Sequence, residues 1–105
     1  DNSVFYSYVE KCRKAGINVP IIPGLKPLSS PKQIALLPQS FSLDIPKELT
    51  DAVRDAGDDK EEVYRIGTEW CIKQCKDLIK NEVPAVHFYT MGKTRNITQI
   101  MRECF

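Results

Sequence analysis

The sequence predicts an α/β fold built on parallel strands. Two short strand-like segments, residues 19–25 and 84–90, are separated by far more chain than a hairpin turn uses, and most of that chain has helical character. A helix precedes the first segment and another follows the second. Parallel neighbours need such a long crossover, and the crossover is right-handed. Two parallel strands make a poor sheet alone, so the pattern predicts either a piece of a larger domain or a chain that pairs with a second copy of itself.

The elements follow from their periodicity. A helix is expected over about residues 3–14, with Val4, Phe5, Tyr8, Val9, Cys12 and the following Ala15 on one apolar stripe, Asp1 or Ser3 to cap it and Gly16 to end it. The segment NVPIIPGLKPL, residues 18–28, then combines strand-like aliphatic density with three prolines, each of which removes a backbone donor. Its paired part is therefore expected to be short, about residues 19–22. Gly24 and Pro27 are then expected to turn the chain rigidly away. Ser29-Ser30-Pro31 starts a short helix that Pro38 is expected to stop after about two turns.

Pro46 opens a helix to about Ala56, ended by Gly57, and residues 59–80 form the longest one. On it Val63, Ile66, Trp70, Cys71, Cys75, Leu78 and Ile79 recur at helical spacing. Glu61 and Glu62 near its start and Lys76 and Lys80 near its end both favour the helix dipole. PAVHFYT, residues 84–90, is the second strand. Ile97, Ile100, Met101 and Cys104 form the inner face of a last helix capped near Thr94 or Asn96. No repeat or low-complexity linker divides the chain, so one domain without an internal boundary is expected.

Composition removes several classes of function. Fifteen basic and fourteen acidic residues leave a formal charge of +1, which supplies no broad field for nucleic acid or an anionic membrane. No apolar run approaches the roughly 20 residues of a membrane span, and DNSVFYSYVEKC lacks the form of an export signal, so a cytoplasmic location is the default expectation. Cys12, Cys71, Cys75 and Cys104 are then expected as reduced thiols packed in the core. His87 is the sole histidine, too little to complete a zinc site.

Gly92-Lys93-Thr94 ends like a phosphate-binding loop, but the position of that loop's first glycine is His87. What remains is a strand end, a flexible glycine, a cation and a helix start, which together favour an anionic group. His87 and Tyr89 share one face of the second strand. His87 is expected as a hydrogen-bonded core group, whereas Tyr89 sits at the C-terminal end where α/β sheets place ligand contacts.

Four blocks in this order, FYSYVEKCRKAG (5–16), VPIIPGLKPLS (19–29), GTEWCIKQC (67–75) and HFYT (87–90), resemble the C-terminal part of 5,10-methylenetetrahydrofolate reductase. The second and fourth blocks carry the likeness. The resemblance implies a C-terminal fragment of a (βα)8 TIM barrel: helix 6, strand 7, helices, strand 8 and helix 8. It further implies a FAD-dependent oxidoreductase that reduces methylenetetrahydrofolate to 5-methyltetrahydrofolate with NAD(P)H, and a homo-oligomer. Tyr89 matches the family's tyrosine at the substrate end. Lys93 falls where the family usually has a substrate-contacting arginine, and the bidentate fork is lost there. Gly92 stands for a common asparagine, and Leu37 falls where relatives put Phe or Leu against the pterin or nicotinamide.

The likeness assigns no catalytic, FAD-binding or metal residue to this chain. Most FAD contacts, the acidic proton donor and a folate-binding glutamine would lie on missing segments, so the isolated chain is expected to be inactive. The rival expectation from another class is a non-catalytic, self-associating α/β module without flavin.

Overall fold

Asp1 caps the first helix, α1 (Asn2–Lys14): its carboxylate accepts from the Ser3 backbone N–H at 2.8 Å and from the Ser3 hydroxyl at 2.7 Å. Lys11, Arg13 and Lys14 occupy the last turn, where cations favour the dipole. Gly16 then leaves the helix at a φ of +85°. The Arg13 guanidinium reaches forward and donates to the carbonyls of Ile17 and Val19, at 2.8 and 2.9 Å. These geometries come from a computed structural model, which describes residues 1–41 and 43–105.

The sheet begins later than the aliphatic run does. Two parallel strands form it, β1 (Gly24–Leu25) and β2 (His87–Phe88), with Gly24 opposite His87 and Leu25 opposite Phe88. The pairing expected at residues 19–22 lies instead at Gly24–Leu25. Pro20 and Pro23 bring no N–H, so the ladder cannot extend back through Pro23 and starts at the Pro23 carbonyl, which accepts from His87 at 2.9 Å. Gly24 is thus part of the strand and not the turn after it. The second strand contracts in the same way, from residues 84–90 to His87–Phe88, and its last ladder bond runs from the Tyr89 N–H to the Leu25 carbonyl at 2.9 Å.

Four further helices follow the expected order: α2 (Gln33–Phe41), α3 (Lys47–Ala56), α4 (Lys60–Lys80) and α5 (Arg95–Cys104). The Gln33 side chain opens α2 by accepting from the Ser29 and Ser30 N–H groups, at 2.7 and 3.3 Å. Pro38 does not stop α2. It lies inside the helix, where it deletes one backbone bond while the helix continues to Phe41. Asp59 caps α4, accepting from the Glu62 N–H at 3.1 Å. Thr94 stands at the start of α5 without a side-chain cap bond.

α4 is the central element and packs against α1, α3 and α5. One apolar cluster joins Leu25, Cys71, Ile72, Cys75, Leu78 and Ile100, with Phe88 against it; a second joins Leu28, Leu49, Val53 and Val63, with Leu37 and Trp70 against it. Leu25 and Phe88 therefore face the helices. The four cysteines are free thiols; burial, then Cys75 and Cys104 beside it, pushes the Cys71 thiol up to about 12, and burial also raises Cys75. Among the described residues no cluster of three or more His, Cys, Asp or Glu is placed to hold a metal ion. No helix of the described residues is long and apolar enough to cross a membrane.

α1 meets α4 along a narrower face than its apolar stripe suggested. Phe5 and Tyr6 reach the first cluster and Cys12 is buried, but Val4 and Tyr8 are exposed. The seam is polar at its end: the Tyr6 hydroxyl donates to Asp77 Oδ2 at 2.6 Å and the Asn2 amide donates to the same oxygen at 2.9 Å. These bonds hold the Asp77 carboxyl below its ordinary value, while burial and the same hydrogen bond push Tyr6 up to about 12.

α4 and the loop after β1 approach each other backbone to backbone. Gly67 is buried in mid-helix, and a methyl group there would overlap the Leu28 carbonyl oxygen and lie 2.7 Å from its carbonyl carbon. Both partners are backbone, so neither has a rotamer by which to yield. Replacing Gly67 by alanine is expected to cost about 1–3 kcal/mol despite alanine's better helix propensity. Thermal unfolding of G67A should fall by roughly 5 °C or more; an unchanged or higher melting temperature would contradict the contact.

Candidate functional site

The sheet has one covered and one uncovered face. Side chains alternate along a strand, so with Leu25 and Phe88 turned to the helices, Gly24, His87 and Tyr89 belong to the other face. His87 is exposed, and the core role expected of it does not hold. Its ring instead stands edge-on to Tyr89, with centroids 4.7 Å apart.

Tyr89 lies across β1 because Gly24 has no side chain. A methyl group on Gly24 would come within 2.5 Å of Tyr89 Cε2 and 3.1 Å of its hydroxyl oxygen. The ring thereby reaches a cavity of about 530 Å³ at the C-terminal ends of the two strands. Leu28, Leu37, Trp70 and Met91 form apolar parts of its wall, and Lys26 and Gln74 contribute polar groups. A neighbouring cavity of about 520 Å³, among Asn2, Glu48, Lys73 and Asp77, shares Trp70 but includes neither strand end.

Of the three residues singled out from the sequence, Tyr89 and Leu37 line this cavity together and Lys93 does not. The cause is the turn after β2. Met91 and Gly92 both take positive φ, 51° and 79°, and the Lys93 N–H donates back to the Thr90 carbonyl at 3.0 Å, as in a type I′ turn. Lys93 therefore emerges beyond the turn, exposed. Met91, a non-glycine residue in the left-handed region, carries the strain of that turn while lining the cavity.

Sequence reasoning missed Lys26, Trp70 and Met91 as wall residues. Lys26 stands two positions after Gly24, which marks it for the open face once the strand is placed at Gly24–Leu25. With the strand placed at residues 19–22 it fell into the exit loop. Trp70 was read only as part of the α4 stripe; it is half-buried, with the Lys73 ammonium 5.9 Å from its ring centroid.

Comparison with known proteins gives these features a context. The family described as methylenetetrahydrofolate reductase matches residues 1–104. The chain is 34% identical over 94% of its length to a probable methylenetetrahydrofolate reductase (NADPH) of Caenorhabditis elegans, of which it covers 15%. It is 31% identical over 96% of its length to methylenetetrahydrofolate reductase (NADH) 1 of Arabidopsis thaliana, covering 17% of that protein. It is 29% identical over 89% of its length to the 5,10-methylenetetrahydrofolate reductase of Escherichia coli, covering 31%. The chain thus spans about a third or less of these relatives.

Gly24 and Gly67 are expected to behave differently, because a ring can move where a carbonyl is fixed. In G24A the Tyr89 ring should swing off β1 with a loss of about 1 kcal/mol or less. Near-ultraviolet circular dichroism from the tyrosine and tryptophan rings should change while far-ultraviolet spectra and melting temperature stay close to those of the parent. An identical near-ultraviolet spectrum would show that Tyr89 does not depend on Gly24.

Proposed function

The chain belongs to the methylenetetrahydrofolate reductase family, and on that premise we propose that it forms the C-terminal part of a reductase barrel, strands 7 and 8 with helices 6 and 8 and the helices between. The reaction proposed for the whole protein is reduction of 5,10-methylenetetrahydrofolate to 5-methyltetrahydrofolate by NAD(P)H through FAD. The mostly helical α/β layout, with its small parallel sheet, is compatible with such a piece.

One observation supports the assignment most strongly. Tyr89 and Leu37, distant in sequence, converge on one largely apolar cavity at the C-terminal ends of parallel strands, the end at which barrel enzymes hold ligands. On this reading Tyr89 supplies an aromatic wall and a hydroxyl and Leu37 an apolar contact to a planar ring, while Lys93, exposed beyond the turn, stays off the cavity wall. The apolar wall fits a flat heterocycle, whereas among the described residues Lys26 is its only cationic side chain, too little to hold a diphosphate. We therefore assign the diphosphate of the flavin to segments that the longer relatives have outside this stretch. FAD, when bound, supplies the hydride transfer between the two substrates. The residues of this chain orient those substrates and keep water from part of the ring surface.

The reading is tested in the longer reductase that carries this chain. Oxidation of NAD(P)H should depend on methylenetetrahydrofolate, and Y89A should raise the Michaelis constant of at least one substrate about tenfold. Unchanged constants for both substrates would remove Tyr89 from the site.

A further inference from the structure

We propose that Lys26 receives the negatively charged part of the ligand, a carboxylate or a phosphate, while the ligand's planar ring lies against Tyr89. This rests on the reductase reading and adds to it a residue and a charge.

Position is the first ground. Lys26 immediately follows β1, and alternation places it on the Gly24 side, the side over which the Tyr89 ring lies. Lys26 and Tyr89 line the same cavity at the same end of the two strands.

Electrostatic incompleteness is the second. Lys26 is half-buried, and among the described residues no ion pair includes it. An ammonium without a counter-ion beside a largely apolar wall is open to an anion of the ligand, and that wall dilutes their attraction less than water would. Two acids touch the same wall. The Asp1 carboxylate is engaged by the Ser3 N–H and hydroxyl, and Asp44, on the segment before α3, forms no ion pair with Lys26. Lys93, the cation singled out from the sequence, lies beyond the type I′ turn and off the wall.

Folate carboxylates and dinucleotide phosphates share the required chemistry, and kinetics in the longer reductase separates them. K26M keeps the apolar stem and removes the charge, K26R keeps the charge, and K80M serves as an exposed-lysine control. The Michaelis constant of one substrate should rise about tenfold in K26M, with kcat within about twofold, as for loss of one charge-assisted hydrogen bond. K26R should stay within about threefold of the parent. The substrate whose constant moves identifies the anion.

Both constants within about twofold in a K26M protein that melts like its parent would overturn the assignment; K26Q carries the same comparison should K26M melt early. A parent without reductase activity removes the functional reading instead. Lys26 is then judged by titration with 5-methyltetrahydrofolate and with NADH, followed by isothermal calorimetry, where equal affinities of parent and K26M, or binding by neither, overturn it.

Discussion

The contact on which the rest of the structure depends is the backbone-to-backbone approach of α4 to the loop after β1, at Gly67 and Leu28. Because no side chain separates them, the loop is seated directly on the helix axis that also organises α1, α3 and α5. Leu28 then enters one apolar cluster while Leu25, three residues earlier, enters the other. The strand exit is fixed from both sides. A second glycine, Gly24, uses the same device at smaller cost, admitting a ring in place of a carbonyl. Together the two glycines determine where the loop runs and where Tyr89 lies, and hence the shape of the cavity between them.

The helices were legible in the sequence and the strands much less so, for a physical reason. Helix ends are local: Asp1, Asp59, Pro46 and Gly57 act within a few residues of their own position, and all stand where the spacing placed them. Strand pairing is not local. It depends on which groups of two distant segments can meet, and Pro23, which has no N–H, ends the ladder on its N-terminal side. A shift of a few residues in β1 followed, and with it Lys26 passed unnoticed from strand end to loop. Pro38 misled in the opposite sense, since one deleted hydrogen bond does not end a helix whose next turn keeps its own. His87 was misjudged because burial of a two-stranded sheet depends on what lies over its second face.

The same distinction applies to the site. Tyr89 and Leu37 could be chosen from alternation and from family likeness, and both line the cavity. Lys93 was chosen by counting from Tyr89, but two successive positive-φ residues separate them and redirect the chain. The likeness to methylenetetrahydrofolate reductases extends over nearly all of this chain but over a third or less of the relatives compared.

Hydrogen–deuterium exchange of the longer reductase, with and without 5-methyltetrahydrofolate, tests most directly whether this cavity is the ligand edge. Ligand should slow exchange in peptides covering residues 24–28 and 87–93, which meet at the cavity, and leave the outer face of α5 around Gln99 and Arg102 unchanged. Protection confined to α5, or absent from both strand ends, would contradict the account.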